Sequence, residues 1–126
     1  MKRIALLVFA SAAFAGPLEA QVMDKALPPL PDDQEMLVLE ITLQPGQEGT
    51  PHRHNAHTFV YVLEGTVRMA VQGGETVTLG PGQMFYESPD DVHTVSANAS
   101  ATEPARILVH MLKTQGAPVS VPVSEE

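Results

Sequence analysis

The sequence predicts an all-β domain, a small barrel or sandwich, on three observations. Short runs rich in β-branched and aromatic residues recur along the chain, among them "MLVLEITL", "TFVYVLEG" and "RILVHML". Glycine and proline punctuate them, as in "PGQEG" and "GPG". Beyond the first residues, no stretch sustains the 3.6-residue apolar period of an amphipathic helix.

Taken in order, the chain opens on a stretch that reads as a secretory signal. Lys2 and Arg3 precede an apolar run, Ile4 to Phe14, far short of the roughly 20 apolar residues of a membrane-spanning helix. Small residues follow, so residues 1–20 are expected to be a signal peptide cleaved after Ala15 or Ala20. The alternative is a buried N-terminal helix or an uncleaved anchor. Residues 21–35 contain "LPPLPDD", whose prolines discourage a regular element, and are expected to form an arm. A strand is expected over "MLVLEITL". The next, "TFVYVLEG", is apolar on both faces and asks for cover on both. "TVRMAV" alternates cleanly, with Val67, Met69 and Val71 on one side. "ETVTL", "QMFYES", "VHTVS" and "RILVHML" are the later strands, and the barrel is expected to span residues 36–114. Residues 115–126 are expected to be an extended or mobile tail.

Composition excludes several function classes. There is no cysteine, so disulfides and thiolate chemistry are absent. The formal net charge is −8, and loss of residues 1–15 would make it −10. No Lys/Arg stripe exists for nucleic acid, and none for an anionic membrane, so neither nucleic-acid binding nor stable membrane association after processing is expected. No glycine-rich phosphate loop or nucleotide fingerprint is present. The expected location is the periplasm or the medium.

Three of the chain's five histidines fall within "PHRHNAH", just before an apolar strand. Period-two alternation puts His52 and His54 on one face of an extended segment, where their rings can aim at a single point. That is half of a site for a metal that favours nitrogen ligands. His93 is the best candidate for a third ligand, with His110 in reserve. The competing reading is that loop histidines before a strand are simply solvated.

These residues also carry a resemblance. "GQEGTPHRHNAHTFVYVLEG" is similar to the first cupin motif: Gly46, then His52 and His54, closed by Gly65. "GQMFYESPDDVHTVSAN" is similar to the second, with Gly82 and His93 at the family separation. The departures are specific. Thr58 stands where the family has glutamate, Ser88 and Asp90 replace the usual proline and glycine, and Asn98 lies one place late. The resemblance spans roughly residues 36–112. It implies a cupin fold, the double-stranded β-helix or jelly-roll barrel, and a homodimer. It also implies a divalent metal (Fe, Mn, Zn, Ni or Cu) held by His52, His54 and His93. Threonine is a poor ligand, because its hydroxyl is neutral and hard to deprotonate. Three outcomes follow: a neutral three-histidine site like that of dioxygenase-like cupins, recruitment of His57 as a fourth ligand, or loss of metal affinity. Strand parity points His57 away from the face of Thr58.

Expected pocket residues are Thr58, Val60, Met69, Met84, Tyr86 and Val95, with simple core packing as the alternative for most. Arg68 and Arg106 are candidates for a substrate carboxylate, or for surface ion pairs. No general acid or base is evident and no catalytic residue can be named. Two functions stand open. One is a metal-dependent oxygenase or isomerase/lyase acting on a small oxygen-rich acid. The other is a non-catalytic module that binds or senses a small molecule or metal.

Overall fold

The computed structural model describes residues 16–123. The expected signal sequence through Ala15 lies outside the described residues. Every regular element among the described residues is a strand: β1 (Gln34–Leu43), β2 (His52–Arg53), β3 (His57–Glu64), β4 (Val67–Val71), β5 (Val77–Leu79), β6 (Met84–Glu87), β7 (His93–Asn98), β8 (Ala105–Thr114) and β9 (Val121–Pro122). They form two antiparallel sheets, ordered β1-β8-β3-β6 and β5-β4-β7-β2-β9. The architecture is the jelly roll that the strand pattern and the resemblance implied.

The core lies between the sheets. Val60, Val62, Ile107, Val109 and Met111 of the first sheet join Val67, Met69 and Leu79 of the second in one buried cluster. The alternation in β8 produces this directly, since every second residue from Ala105 to Met111 is buried. β1 and β8 pair over their full length, from Gln34 opposite Thr114 to Leu43 opposite Ala105. That long ladder extends both strands beyond their expected ends.

The apolar second face of β3 is covered on one flank. Phe59 and Tyr61 sit opposite Tyr86 and Met84 of β6 on the outer side of the first sheet. The arm crosses this face and sets the Lys25 ammonium 4.4 Å from the centre of the Tyr86 ring, a cation–π contact. On β1, Met36 and Val38 remain 55% and 48% exposed.

Two irregularities matter for the site. Gly65 turns β3 into β4 with φ of +78°, and the register shifts between Val62 and Glu64. In β7 the register against β4 shifts between Ala70 and Val71. Thr94 is the extra residue, so side chains before and after it exchange faces.

Candidate metal centre

β2 is only two residues long, but its register is decisive. His52 pairs directly with His93 of β7, and paired antiparallel residues share a face. His54 follows two places on and points the same way. Asn55 then takes a left-handed φ of 51°, a conformation that asparagine tolerates well, and turns the chain into β3.

The three rings converge. His52 and His54 have centroids 4.6 Å apart, His52 and His93 5.1 Å, and His54 and His93 6.2 Å. Each residue offers a ring nitrogen within 4.8 Å of those of the other two. Backbone carbonyls set two of the tautomers. The carbonyl of Thr50 lies 2.7 Å from His52 Nδ1, and that of Val119 lies 2.7 Å from His54 Nδ1. A carbonyl can only accept, so each Nδ1 carries its proton and each Nε2 presents a lone pair inward. Those two Nε2 atoms are 3.0 Å apart. Unless one ring takes a second proton, two lone pairs confront each other, a conflict that a cation between them removes.

His93 is buried, and neither of its ring nitrogens has a hydrogen-bond partner. Burial, together with the neighbouring His52 and His54, depresses its pKa to about 4. Burial also lowers the pKa of His54, against the pull of the Val119 carbonyl. Neutral imidazoles are the form that binds metal.

A carboxyl group completes the ring of polar groups. Glu87, at the end of β6, sits directly opposite Thr58 of β3 and is 2% exposed. Its Oε1 is 3.1 Å from His93 Nδ1, and its Oε2 is 3.7 Å from His54 Nε2. The shorter contact lacks hydrogen-bond alignment, since His93 Nδ1 is left without a partner, and Glu87 Oε2 is without one as well. Burial, and then the charge of Asp91, push the Glu87 pKa up to about 8. At neutral pH this contact in the metal-free protein is therefore between neutral groups rather than an ion pair. The converging lone pairs and unpartnered buried atoms fit a divalent metal.

The cluster opens on a cavity of about 220 Å³ between the sheets, walled by Thr58, Val60, Met69, Ile41, Ser96, Ile107, Val109, Met111 and the residues Val119 and Ser120. Thr58, Val60 and Met69 were expected there. Met84, Tyr86 and Val95 are not among the cavity's walls. Tyr86 pairs with Phe59 and Met84 with Tyr61, which puts both on the outer face. Val95 follows the bulge at Thr94, so Ser96 shares the inner side with His93. Val95 instead borders a groove beside Glu48 and Arg68.

His57, considered as a fourth ligand, is held elsewhere. Its Nδ1 is 2.7 Å from the Tyr86 hydroxyl, and the two rings are nearly parallel at 18°. His110 lies opposite Phe59 and Val38 and stays outside the cluster. The Thr58 hydroxyl donates to the Ala56 carbonyl at 3.3 Å. Arg68 pairs with Glu48, and Arg106 with Glu40 and Glu64. Neither arginine lines the cavity. Residues 115–126 were expected to be an extended or mobile tail. Within that segment β9 pairs with β2, and the Val119 carbonyl holds His54.

A profile of the Cupin domain family matches residues 39–111. Comparison with curated proteins found no match. Among solved structures, the chain is similar to the DMSP lyase DddQ of Ruegeria pomeroyi (TM-score 0.62, 19% identity, 72% of this chain and 44% of that one). It therefore spans less than half the length of that lyase. An uncharacterized conserved protein with a double-stranded β-helix domain from Klebsiella pneumoniae is also similar (TM-score 0.58, 20% identity, 79% of this chain and 91% of that one). So is a mutant of the Bacillus subtilis oxalate decarboxylase OxdC (TM-score 0.58, 18% identity, 71% of this chain and 24% of that one). At such identities these likenesses speak for the fold. The family profile covers more than half of the sequence, and the chain belongs to the Cupin domain family, with His52, His54 and His93 gathered as a cluster able to coordinate a metal.

Proposed function

We propose that this protein is a metal-dependent enzyme, an oxygenase or an isomerase/lyase acting on a small oxygen-rich acid. The observation that carries the reading is the pair of His52 and His54 Nε2 atoms, 3.0 Å apart and held inward at the mouth of the cavity. Bound there, a divalent metal would supply Lewis acidity and an anchor for substrate oxygens. The residues of the chain do the rest. Thr50 and Val119 hold the two rings in the ligating tautomer. Val60, Met69, Ile107 and Val109 exclude water. A cavity of about 220 Å³ is the share of roughly seven liquid waters, which limits the substrate to a small molecule. No Lys or Arg lines it, so an anionic substrate would find its counter-charge at the metal. The similar folds named for a DMSP lyase and an oxalate decarboxylase add analogy, not proof of reaction.

The test is elemental analysis of protein purified without added metal, followed by turnover assays on a panel of small acids in air and without oxygen. About one metal per chain is expected, with loss of most of it in His52→Ala and His93→Ala. Stoichiometric metal retained by both variants would refute the ligand set. Oxygen-dependent turnover selects the oxygenase, and oxygen-independent turnover the isomerase/lyase.

One observation favours a second reading, a non-catalytic binding or sensing module. Apart from the histidines and Glu87, the polar groups at the cavity are the hydroxyls of Thr58, Ser96 and Ser120. Metal binding with no turnover in the panel would select it.

Export and dimerisation belong to the same proposal. Lys2 and Arg3 before the apolar run support export, and fractionation of cells would test it. The exposed Met36 and Val38 support pairing of two copies through the first sheet. A monomer measured by light scattering at micromolar concentration would refute it.

A further inference from the structure

We propose that Glu87 is itself a metal ligand, the carboxylate of a three-histidine, one-glutamate centre, delivered from β6 instead of from position 58 on β3. This deepens the metal-binding reading above and rests on it.

The register comes first. Thr58 and Glu87 are partners across β3 and β6, both fully enclosed at 0% and 2% exposure. Partnered residues carry their Cβ atoms about 5 Å apart on the same face. A glutamate at 87 therefore opens onto the same space as a side chain at 58. Threonine at 58 leaves that space free, because its hydroxyl is turned back to the Ala56 carbonyl.

The second argument is what Glu87 faces. A buried carboxyl group ordinarily gathers donors. Oε2 of Glu87 has none and stands 3.7 Å from His54 Nε2. The Val119 carbonyl has already committed the His54 proton to Nδ1, so Nε2 is an acceptor there. Acceptor faces acceptor where His52 meets His54, and the Glu87 carboxyl, once ionised as a ligand must be, sets a second acceptor against His54 Nε2. A cation among the three histidine nitrogens would relieve the His52–His54 conflict, and Glu87, 3.7 Å from His54 Nε2 at the edge of that cluster, is the carboxyl placed to swing onto it, with His93 Nε2 buried and without a partner beside them. A packing role alone would not leave so many lone pairs converging.

The consequence is electrostatic. Three imidazoles leave the full charge of a divalent ion, whereas one carboxylate reduces the centre to a net +1. The site then suits metals that accept mixed nitrogen and oxygen donors, and it attracts an anionic ligand less strongly than a purely neutral ligand set would.

Cobalt(II) is the probe, since its visible absorption reports the donor set without requiring turnover. Wild type, Glu87→Gln and the exchange variant Thr58→Glu/Glu87→Thr are titrated against a competing chelator, with folding checked by circular dichroism. Glu87→Gln is expected to bind at least tenfold more weakly with an altered spectrum, and the exchange variant to recover affinity above Glu87→Gln. Glu87→Gln that binds within twofold of wild type, or more weakly with an unchanged spectrum, assigns Glu87 to orienting His93 and overturns the proposal. A crystal structure of the zinc-loaded wild type decides the matter without any variant. A Glu87 oxygen at about 2.0–2.2 Å from zinc is expected, and one beyond about 3 Å refutes it. Wild-type protein that takes no metal sinks the functional reading as well, whereas metal held by the histidines alone sinks only this inference.

Discussion

His54 and Val119 lie 65 residues apart in sequence and are joined by a 2.7 Å hydrogen bond from the imidazole Nδ1 to the backbone carbonyl. The bond has two effects. It fixes which nitrogen of His54 carries the proton, and it ties the segment after β8 to the rim of the cavity. The pairing of Arg53 with Val121 and of His52 with Pro122 reinforces it, as does the position of Val119 and Ser120 along the cavity wall. The segment acts as a strap over the metal site.

A chain ending at Gly116 tests the strap. The two sheets keep β1 to β8, so the fold is expected to persist by circular dichroism. His54 loses its orienting partner, and such losses typically cost ten- to a hundredfold in metal affinity. Chelator competition measures this. Affinity within twofold of the full chain would show that the strap has no part in the site.

The metal-free protein is expected to be most stable between about pH 4.5 and 6.5. Glu87 has its pKa raised from 4.5 to about 8, so its contribution is complete below the unfolded value and is lost as pH rises through 8. His93 has its pKa lowered from 6.5 to about 4, so its contribution is complete above 6.5 and is lost as pH falls through 4. Between the two unfolded values these two slopes oppose and nearly cancel, and the lowered pKa of His54 tilts the plateau upward toward 6.5. From pH 6.5 to 8 only the Glu87 slope remains, worth about 2 kcal/mol at 1.36 kcal/mol per pH unit. Urea unfolding across this range, with chelator present, measures the plateau and its alkaline fall. Added zinc should reverse that fall, because ligands bind metal deprotonated. A metal-free stability that climbs steadily to pH 8 would contradict the environment assigned to Glu87.

Asn98 is a buried junction, and its loss should be costly. Its Nδ2 donates to the carbonyls of Leu43, Gln44 and Glu103 at 3.1, 3.1 and 2.8 Å, and its Oδ1 accepts from Ser100 N at 2.9 Å. One side chain thus holds the end of β1 against the loop between β7 and β8. Asn98→Ala leaves these groups unpaired and is expected to destabilise by about 2–3 kcal/mol. Asn98→Asp should be worse, because it presents oxygen to three carbonyls. Urea midpoints compare the variants, and a cost for Asn98→Ala under about 0.5 kcal/mol would remove this role.

Gly65 and Gly73 share a left-handed φ, +78° and +80°, but differ in surroundings. A Cβ on Gly65 would stand 2.6 Å from the Pro104 carbonyl oxygen and 2.8 Å from Ala105 Cα, whereas one on Gly73 meets nothing within 4 Å. Gly73→Ala therefore costs only the conformational strain, about 1–2 kcal/mol. Gly65→Ala adds a clash with backbone atoms and is expected to cost about 3 kcal/mol or more. Thermal unfolding of the pair separates the two contributions. Equal costs would refute the clash.

How much of this was legible follows from the range over which each feature is determined. His52 and His54 could be read because alternation within two residues fixes their common face, and His93, already the best candidate for a third ligand, was reinforced by the resemblance. Glu87 could not be read, since its place opposite Thr58 depends on how β6 registers against β3. Its only local trace is an acid within the apolar "QMFYES". The pocket assignment of Met84 and Tyr86 had the phase of β6 reversed, and no local rule sets that phase after a glycine turn. Val95 was misplaced by the single extra residue at Thr94, which flips parity within one strand. That residue also falls in the stretch where Asn98 lies one place beyond its family position. Val119 is the extreme case, because a carbonyl carries no residue identity and every residue type has one.

The strap also sets an order of events during synthesis. All three histidines leave the ribosome long before Val119 does, and β8, which both β1 and β3 require, comes only shortly before it. Domains of this kind fold as units once their sequence is available. A nascent chain halted anywhere short of residue 119 carries the ligands without the geometry to hold an ion firmly. A metal taken up at this cluster would be held firmly only after the polypeptide has been extended through the strap, and would then be the one available where the finished fold resides.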